Sequence, residues 1–277
     1  MSGISPRVKK LFVLGLTVAV LLCLVVLIPV ALVTQPFVST VLSHPPPVDP
    51  ARLERHVKHL SVDLYPRSYD QRRNLELAAQ YIESEFTATG AAIRTQEQAV
   101  DGVIYKNIIA RFGPDAGPLM VVGAHYDSYG NPNRGSRDPR GYSLASHTPG
   151  ADDNASGVAG LIELARLLGA TSQTRSIELV AYTLEEPPHF RTQQMGSVWH
   201  ARSLATAKRE VQLMLSLEMI GYFRNEPRSQ HFPFPWMARL YSDRAEFVAL
   251  VGNWSMFGCT RRAKALMSGA TDLPVYS

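Results

Sequence analysis

Four polar motifs, each beside a short apolar run, constrain the fold of this chain more than any other feature. The runs are long enough for β-strands, and the motifs carry the histidine and carboxylate groups that bind metals. Strand ends of an open α/β sheet meet at one edge, the usual place for a site in such sheets. We therefore expect the motifs to gather there. They contain His125 and Asp127, Asp152 and Asp153, Glu185 and Glu186, and Glu218.

The periodicity of apolar residues after residue 50 predicts alternating helices and strands. Helices are predicted over 50–60, 70–89, 155–168, 196–207 and 244–251, and strands over 93–100, 105–112, 119–122, 177–183 and 211–217. Residues 130–150, rich in glycine, proline, asparagine and arginine, are predicted to form a long loop. Strands that alternate with helices indicate a three-layer α/β fold, with a mostly parallel central sheet flanked by helices.

An apolar run near the N-terminus predicts one transmembrane helix before this domain. Residues 11–33 are 23 residues without a charge, and at about 1.5 Å per residue they cover a hydrocarbon core of about 30 Å. No Ala-x-Ala-like cleavage site follows Val33, which favours an uncleaved signal anchor. Basic residues precede the run, whereas residues 34–47 contain no lysine or arginine. The positive-inside rule therefore predicts a single-pass membrane protein with a cytoplasmic N-terminus and an extracytoplasmic catalytic domain.

The chain then divides into four parts. Residues 1–10 form a basic cytoplasmic arm, 11–33 the anchor, 34–49 a stiff proline-rich linker, and 50–277 the globular domain. The net charge of +4 comes partly from the arm, and no basic stripe interleaved with aromatic residues follows, so we expect no nucleic-acid partner. Cys23 and Cys259 are far apart and neither belongs to a Cys/His metal spacing. Any metal must therefore be held by histidine and carboxylate groups.

The count of polar groups at the predicted strand ends suits a pair of zinc ions. Zinc takes imidazole and carboxylate ligands, and two zinc ions about 3.5–4 Å apart need a carboxylate that bridges them. One acidic group is then left to act as a base. Acidic pairs on a surface are usually only solvated, but their occurrence together with His125 favours the metal site. Asp152 is the exception, and we expect it to be an exposed or capping neighbour.

These motifs, in this order, resemble those of metallopeptidase family 28, the di-zinc aminopeptidases that include bacterial leucyl aminopeptidase and are related to glutaminyl cyclase. The resemblance covers residues 69–221 and implies the zinc-dependent exopeptidase fold. It also implies two zinc ions that share Asp153. By the same resemblance the first zinc is bound by His125 and Glu218, the second by Glu186, the ring of His125 is oriented by Asp127, and the general base is Glu185.

The sequence departs from the family pattern in its C-terminal part. The family completes the second zinc with the histidine of a Ser-Asp-His motif, but here Ser242-Asp243 is followed by Arg244, and His231 stands alone. We expect the chain to be truncated at its C-terminus relative to the family. Residues 187–194 are inserted after the glutamate pair, and we expect the rim of the substrate pocket to differ there. We place His189 and Tyr222 in this pocket.

These features predict a zinc-dependent aminopeptidase that hydrolyses the N-terminal bond of peptides with a metal-activated water and Glu185 as general base. Two alternatives stay open. One is a zinc acyltransferase that resembles glutaminyl-peptide cyclase and uses one zinc. The other is a non-catalytic ectodomain that resembles these peptidases but has lost ligands. Metal stoichiometry separates the three, because they require two, one and no zinc ions.

Overall fold

The computed structural model describes residues 6–130 and 147–277. These residues divide into two units: Pro46–Tyr222 is one, and the described part of Met1–Pro45 together with Phe223–Ser277 is the other. All four polar motifs belong to the unit Pro46–Tyr222. Most of the predicted long loop over 130–150 lies outside the described residues.

The unit Pro46–Tyr222 contains alternating helices and strands, as the periodicity predicts. Its helices are α2 (Pro50–Lys58), α3 (Arg72–Thr87), α4 (Gly157–Gly169) and α5 (Gly196–Thr206). Its strands are β1 (Ala92–Val100), β2 (Val103–Phe112), β3 (Leu119–His125), β4 (Ser176–Tyr182) and β5 (Val211–Ser216). A single π-helical turn, His59–Asp63, follows α2. A kinked turn, Ala151–Ser156, precedes α4, and its residues Asp153 and Asn154 have non-helical φ and ψ.

The five strands form one sheet in the order β1-β2-β4-β3-β5. Strand β3 pairs in parallel with β4 and β5, whereas β2 pairs antiparallel with β1 and β4. Four strands therefore run in the same direction and only β2 is reversed, which confirms a mostly parallel sheet. The reversal follows from a two-residue turn between β1 and β2, in which Asp101 and Gly102 have φ of 50° and 77°. Asp-Gly suits this hairpin turn because glycine and aspartate tolerate positive φ.

Both faces of the sheet are covered, which confirms the three-layer architecture. Along β2, Ile108 and Ala110 belong to the large apolar core shared with helices α3 and α4. The intervening Ile109 belongs to a smaller core on the other face, against which Leu204 of α5 packs. Because successive side chains of a strand point to opposite faces, this alternation places helices on both sides of the sheet. The flanking layers leave the strand ends as the place where polar side chains gather.

A buried ionic network joins the sheet to α5. The carboxylate of Glu178 in β4 accepts hydrogen bonds from Arg111 at 2.6 Å and from His200 Nε2 at 2.9 Å. The other ring nitrogen of His200 lies 3.0 Å from the hydroxyl of Tyr182. Burial raises the pKa of Glu178, but the hydrogen bonds from His200 and Arg111 outweigh it and lower that pKa to about 2. The charged form of Glu178 therefore stabilises the fold.

Replacing Glu178 with glutamine should lower the free energy of unfolding by about 2 kcal/mol at pH 7, because two hydrogen bonds to a charged group are weakened. In the folded protein the pKa of Glu178 is about 2, below the ordinary value of about 4.3 that applies to the unfolded chain. The stability that charged Glu178 contributes is therefore present above about pH 4.3 and is lost as the pH falls toward 2. Urea unfolding of both proteins at pH 7 and pH 3 checks this. A difference in stability that stays the same at both pH values contradicts it.

The other unit contains α1 (Pro6–Thr34), α6 (Phe257–Met267), β6 (Val248–Ala249) and β7 (Val275–Tyr276), with 3₁₀ turns over Pro235–Arg239 and Trp254–Met256. Within α1, Lys10–Thr34 is long and apolar enough to cross a membrane. The side chain of Lys264 in α6 donates to the carbonyl of Gln35, just after α1, at 3.3 Å. Positive charge is favourable at this end of a helix.

The predicted helix over 244–251 is wrong. Within this range, Val248 and Ala249 form β6, which pairs in parallel with β7. The backbone N–H groups of Val248 and Leu250 donate to carbonyls of Pro274 and Tyr276 at 3.0 and 2.8 Å. Valine favours strands, and so short an apolar run does not separate a helix from a strand by periodicity alone. The partner strand therefore decides the local structure.

Candidate metal centre

Six of the side chains predicted for the site come together at one edge of the sheet. Strands β3, β4 and β5 run in the same direction, so the residues that follow them lie side by side. The kinked turn before α4 adds Asp153, whose φ and ψ are non-helical. The six are His125, Asp127, Asp153, Glu185, Glu186 and Glu218.

The ring of His125 lies at the centre of the group and is only 3% exposed. Its Nε2 is 3.2 Å from Asp153 Oδ1, 3.4 Å from Glu218 Oε1 and 3.6 Å from Glu185 Oε2. Its Nδ1 lies 3.1 Å from the carbonyl oxygen of Asp127, which can only accept a hydrogen bond. When Nδ1 carries the proton for this bond, the lone pair of Nε2 faces the carboxylates and can bind a metal ion.

The carboxylate of Asp127 holds several parts of the site in place. It is fully buried, and its Oδ1 lies 3.4 Å from Nδ1 of His125. The same carboxylate accepts the backbone N–H of Glu185 at 3.1 Å and that of Glu186 at 3.0 Å. Asp127 therefore fixes the backbone that carries both glutamates as well as lying against the ring of His125.

The two glutamates have strongly perturbed pKa values. Burial raises the pKa of Glu185 to about 7 and that of Glu186 to about 8. The negative charges of Asp127 and Asp153 raise both values further, while His125 opposes the shift. Carboxylates crowded in this way repel one another, and a bound cation relieves the repulsion. The electrostatics therefore favour a cation site.

Two sets of ligand atoms are close enough to hold a metal ion. One consists of His125, Asp153 and Glu218, and the other of His125, Glu185 and Glu186. Within each set the candidate atoms lie within 4.8 Å of one another. One imidazole nitrogen with carboxylate oxygens is a donor set that zinc accepts, so the residues present fit zinc. Among the described residues, His125 is the histidine in both sets.

The buried Arg67 lies behind this group and was not anticipated from the sequence. Its guanidinium donates to the carbonyls of Tyr126 at 2.9 Å and Leu60 at 3.0 Å, and also to those of Pro149 and Gly150. Burial lowers its pKa to about 10 against the opposing influence of nearby carboxylates such as Asp127. Arg67 thus joins the loop after β3 to the loop before Asp153. A lone arginine in a polar turn carries no sequence signal for such a role.

The two predicted pocket residues occupy different environments. His189 is buried, with Nδ1 2.7 Å from Oε1 of Gln194 and its ring edge against Tyr69. Its backbone N–H donates to the carbonyl of Glu186 at 3.0 Å. Tyr222 is 63% exposed. A role for either side chain in binding substrate stays a prediction.

Comparison with known proteins connects this geometry to a family. The model of peptidase family M28 matches residues 107–246, which include all six side chains of the site. The chain is also 44% identical to the uncharacterized protein YfbL of Escherichia coli strain K12 over 259 residues, which are 94% of this chain and 77% of YfbL.

Solved structures with a similar fold include both peptidases and cyclases. A leucine aminopeptidase precursor from Bacteroides thetaiotaomicron matches with a TM-score of 0.53 and 24% identity, over 68% of this chain and 67% of that protein. A glutaminyl cyclase from the same organism matches with a TM-score of 0.53 and 24% identity, over 66% of this chain and 65% of that protein. At this identity the likeness shows the fold and does not separate the two activities.

Proposed function

Since this chain belongs to peptidase family M28, we propose that it is a membrane-anchored zinc aminopeptidase that hydrolyses the N-terminal peptide bond of its substrates. The observation that carries the proposal is the meeting of His125 with the carboxylates of Asp153, Glu185 and Glu218 at one sheet edge, each within 3.6 Å of Nε2. Such a convergence of zinc-ligating groups beside a further carboxylate is typical of hydrolytic sites.

The proposed ligands follow the family resemblance: His125 and Glu218 would hold one zinc ion, Glu186 would hold a second, and both ions would share Asp153. The geometry supports the first group, because ligand atoms of His125, Asp153 and Glu218 lie within 4.8 Å of one another. When bound, zinc polarises the scissile carbonyl and lowers the pKa of a water molecule. Asp127 keeps the ring of His125 and the backbone of both glutamates in position, which its hydrogen bonds to the two N–H groups support.

In the proposed mechanism Glu185 is the general base. It takes a proton from the attacking water at a carboxylate oxygen and returns that proton to the leaving amine. Its side chain is 28% exposed, so water can reach it. The excess of carboxylates in the site also favours a substrate with a positively charged free α-amino group.

The proposal places the enzyme at a membrane. Helix α1 would anchor the chain through residues 11–33, with the basic arm in the cytoplasm and the catalytic unit on the opposite side. The length and hydropathy of Lys10–Thr34 support the anchor.

A second candidate function is glutaminyl cyclisation, since a glutaminyl cyclase has a similar fold. A cyclase would need one zinc ion and would release no N-terminal residue. One feature supports the peptidase over it, because the family model that matches is that of a peptidase family.

Zinc content and substrate turnover of the full chain in detergent test the proposal. We expect about two zinc ions per chain and release of the chromophore from some members of a panel of aminoacyl chromogenic substrates. A chelator should abolish the release and added zinc should restore it. One zinc ion with cyclisation of an N-terminal glutaminyl peptide would favour the cyclase. Zinc binding without either reaction would overturn the proposed activity.

A further inference from the structure

The side chains of the kinked turn Ala151–Ser156 reach two different places. Asp153 lies against His125 in the candidate metal centre. Asp152, Asn154 and Ser156 instead contact residues 217–221, the segment after β5 that carries Glu218. One short loop therefore supplies one carboxylate of the site and holds the segment that supplies another.

Asn154 makes the central contacts between the two segments. Its Nδ2 donates to the carbonyl of Leu217 at 2.8 Å and to Oε2 of Glu218 at 3.2 Å. Its Oδ1 accepts the backbone N–H groups of Gly157 at 3.1 Å and Met219 at 3.3 Å. A side-chain amide offers two donor hydrogens and two acceptor lone pairs, so the hydrogen-bonding capacity of Asn154 is saturated. The side chain is also completely buried.

A second pair of contacts fixes the far end of the segment. The Oγ of Ser156 accepts the backbone N–H of Ile220 at 3.0 Å and donates to the carbonyl of Asp152 at 2.8 Å. Oδ1 of Asp152 accepts the backbone N–H of Gly221 at 2.8 Å. The backbone N–H groups of three consecutive residues after Glu218 are thus bound by side chains of one loop.

The segments also approach too closely to slide past each other. A Cβ atom on Gly157 would lie 2.3 Å from Oδ1 of Asn154 and 2.7 Å from the carbonyl oxygen of Leu217. A Cβ atom on Gly221 would lie 2.7 Å from Cβ of Ser156. Real side-chain atoms do not come this close to a Cβ without displacing it. The glycines therefore permit the contact, and the packing leaves little room for another arrangement.

We propose that Asn154 is a positioning residue that sets the separation of Asp153 and Glu218, and thereby the affinity of the site for its metal ion. The inference rests on the proposed metal site and adds the residue that arranges its ligands before the ion binds. Asparagine suits this position because it donates to Glu218 and accepts from backbone N–H groups at the same time. Aspartate has the same shape, but it cannot donate and would place a negative charge beside Glu218.

The test compares zinc affinity and hydrogen exchange in variants of the full chain. For Asn154→Asp and Asn154→Ala, zinc affinity measured by competition with a chromophoric chelator should fall by about 10- to 100-fold. Amide hydrogens of residues 217–221 should exchange faster than in the wild type, both with and without zinc. Neither measurement depends on turnover, so a wild type that binds zinc but hydrolyses no peptide overturns the proposed function without affecting this test.

Asn107 provides a matched control. It is also completely buried, and its side chain donates to Gln96 at 2.9 Å and to the carbonyl of Gly196 at 2.8 Å. It contacts neither Asp153 nor Glu218 among its described hydrogen bonds. We expect Asn107→Ala to lower the melting temperature while zinc affinity stays at the wild-type value. Equal losses of affinity in Asn107→Ala and Asn154→Ala would overturn the proposal, as would wild-type affinity in Asn154→Asp.

Ser156→Ala keeps the proposal testable if the Asn154 variants fail to fold. It removes only the hydroxyl that holds Ile220 and Asp152. We expect faster exchange at residues 220 and 221 and a several-fold weaker zinc affinity, since one of the two contacts that fix the far end of the segment is then lost. Unchanged exchange and unchanged affinity in Ser156→Ala would overturn the role of this loop.

Discussion

Replacing Glu185 with glutamine is expected to lower kcat for peptide hydrolysis by about 10³-fold while the zinc content stays near that of the wild type. Glutamine keeps the size of the side chain and its backbone bond to Asp127, but it cannot take a proton from water. The measurement is kcat on the best aminoacyl substrate together with metal analysis of the same preparation.

This experiment also separates two roles that the geometry allows for Glu185. Its Oε2 lies 3.6 Å from Nε2 of His125, and it forms one set of candidate ligand atoms with His125 and Glu186. A general base can be replaced without loss of metal, whereas a ligand cannot. Loss of one zinc ion in Glu185→Gln would therefore show that Glu185 is a ligand and that another group acts as the base.

Glu186→Gln is the matched control for this experiment. It removes the same charge from the adjacent residue, which has a similarly raised pKa and is bound by the same carboxylate of Asp127. We expect this variant to lose one zinc ion, because Glu186 is a proposed ligand of the second ion. Equal zinc content in the two variants would contradict the assignment of different roles to neighbouring glutamates.

The second large effect is expected for His125→Ala, which should weaken zinc binding by about 10²- to 10³-fold and abolish measurable hydrolysis. The binding free energy of zinc in small structural sites is about 10–16 kcal/mol and comes from about four ligands, so one ligand contributes roughly 3 kcal/mol. His125 belongs to both candidate ligand sets, and its removal affects both. Titration with zinc, monitored by isothermal calorimetry, measures the change.

His200→Ala is the control for a buried histidine outside the site. His200 is as buried as His125, but its ring is bonded to Glu178 and Tyr182. We expect this variant to unfold at a lower temperature and to bind zinc as the wild type does. If His125→Ala binds zinc with wild-type affinity, the ions are held elsewhere and the proposed centre is wrong.

The arrangement of the strand-end residues could be predicted from the sequence because it depends on two strong patterns. Apolar runs identify the strands, and parallel strands bring the residues that follow them to one edge. His125, Glu185 and Glu218 lie together for this reason. Asp152, predicted to be an exposed or capping neighbour, is instead half-buried and accepts the N–H of Gly221, which does not begin a helix.

The supporting contacts could not be predicted in this way. Arg67 binds carbonyls from three separate segments, and a sequence does not show which carbonyls will need a donor. Asn154 stood next to a proposed ligand, but its four hydrogen bonds depend on where residues 217–221 lie. The strand β6 within 244–251 depends in the same way on a distant partner. Interactions between segments far apart in the chain decide all three.

The alternation within Ala151–Ser156 makes the spacing of this turn as important as its composition. Asp153 contacts His125, while its neighbours Asp152 and Asn154 bind the segment after β5. Inserting or deleting a single residue here would move each side chain into the place of its neighbour. An amide would then face the metal ions, and a carboxylate would take the place of Asn154 against the backbone. Related chains can therefore vary residues around this turn, but its length should be invariant wherever the metal centre is kept.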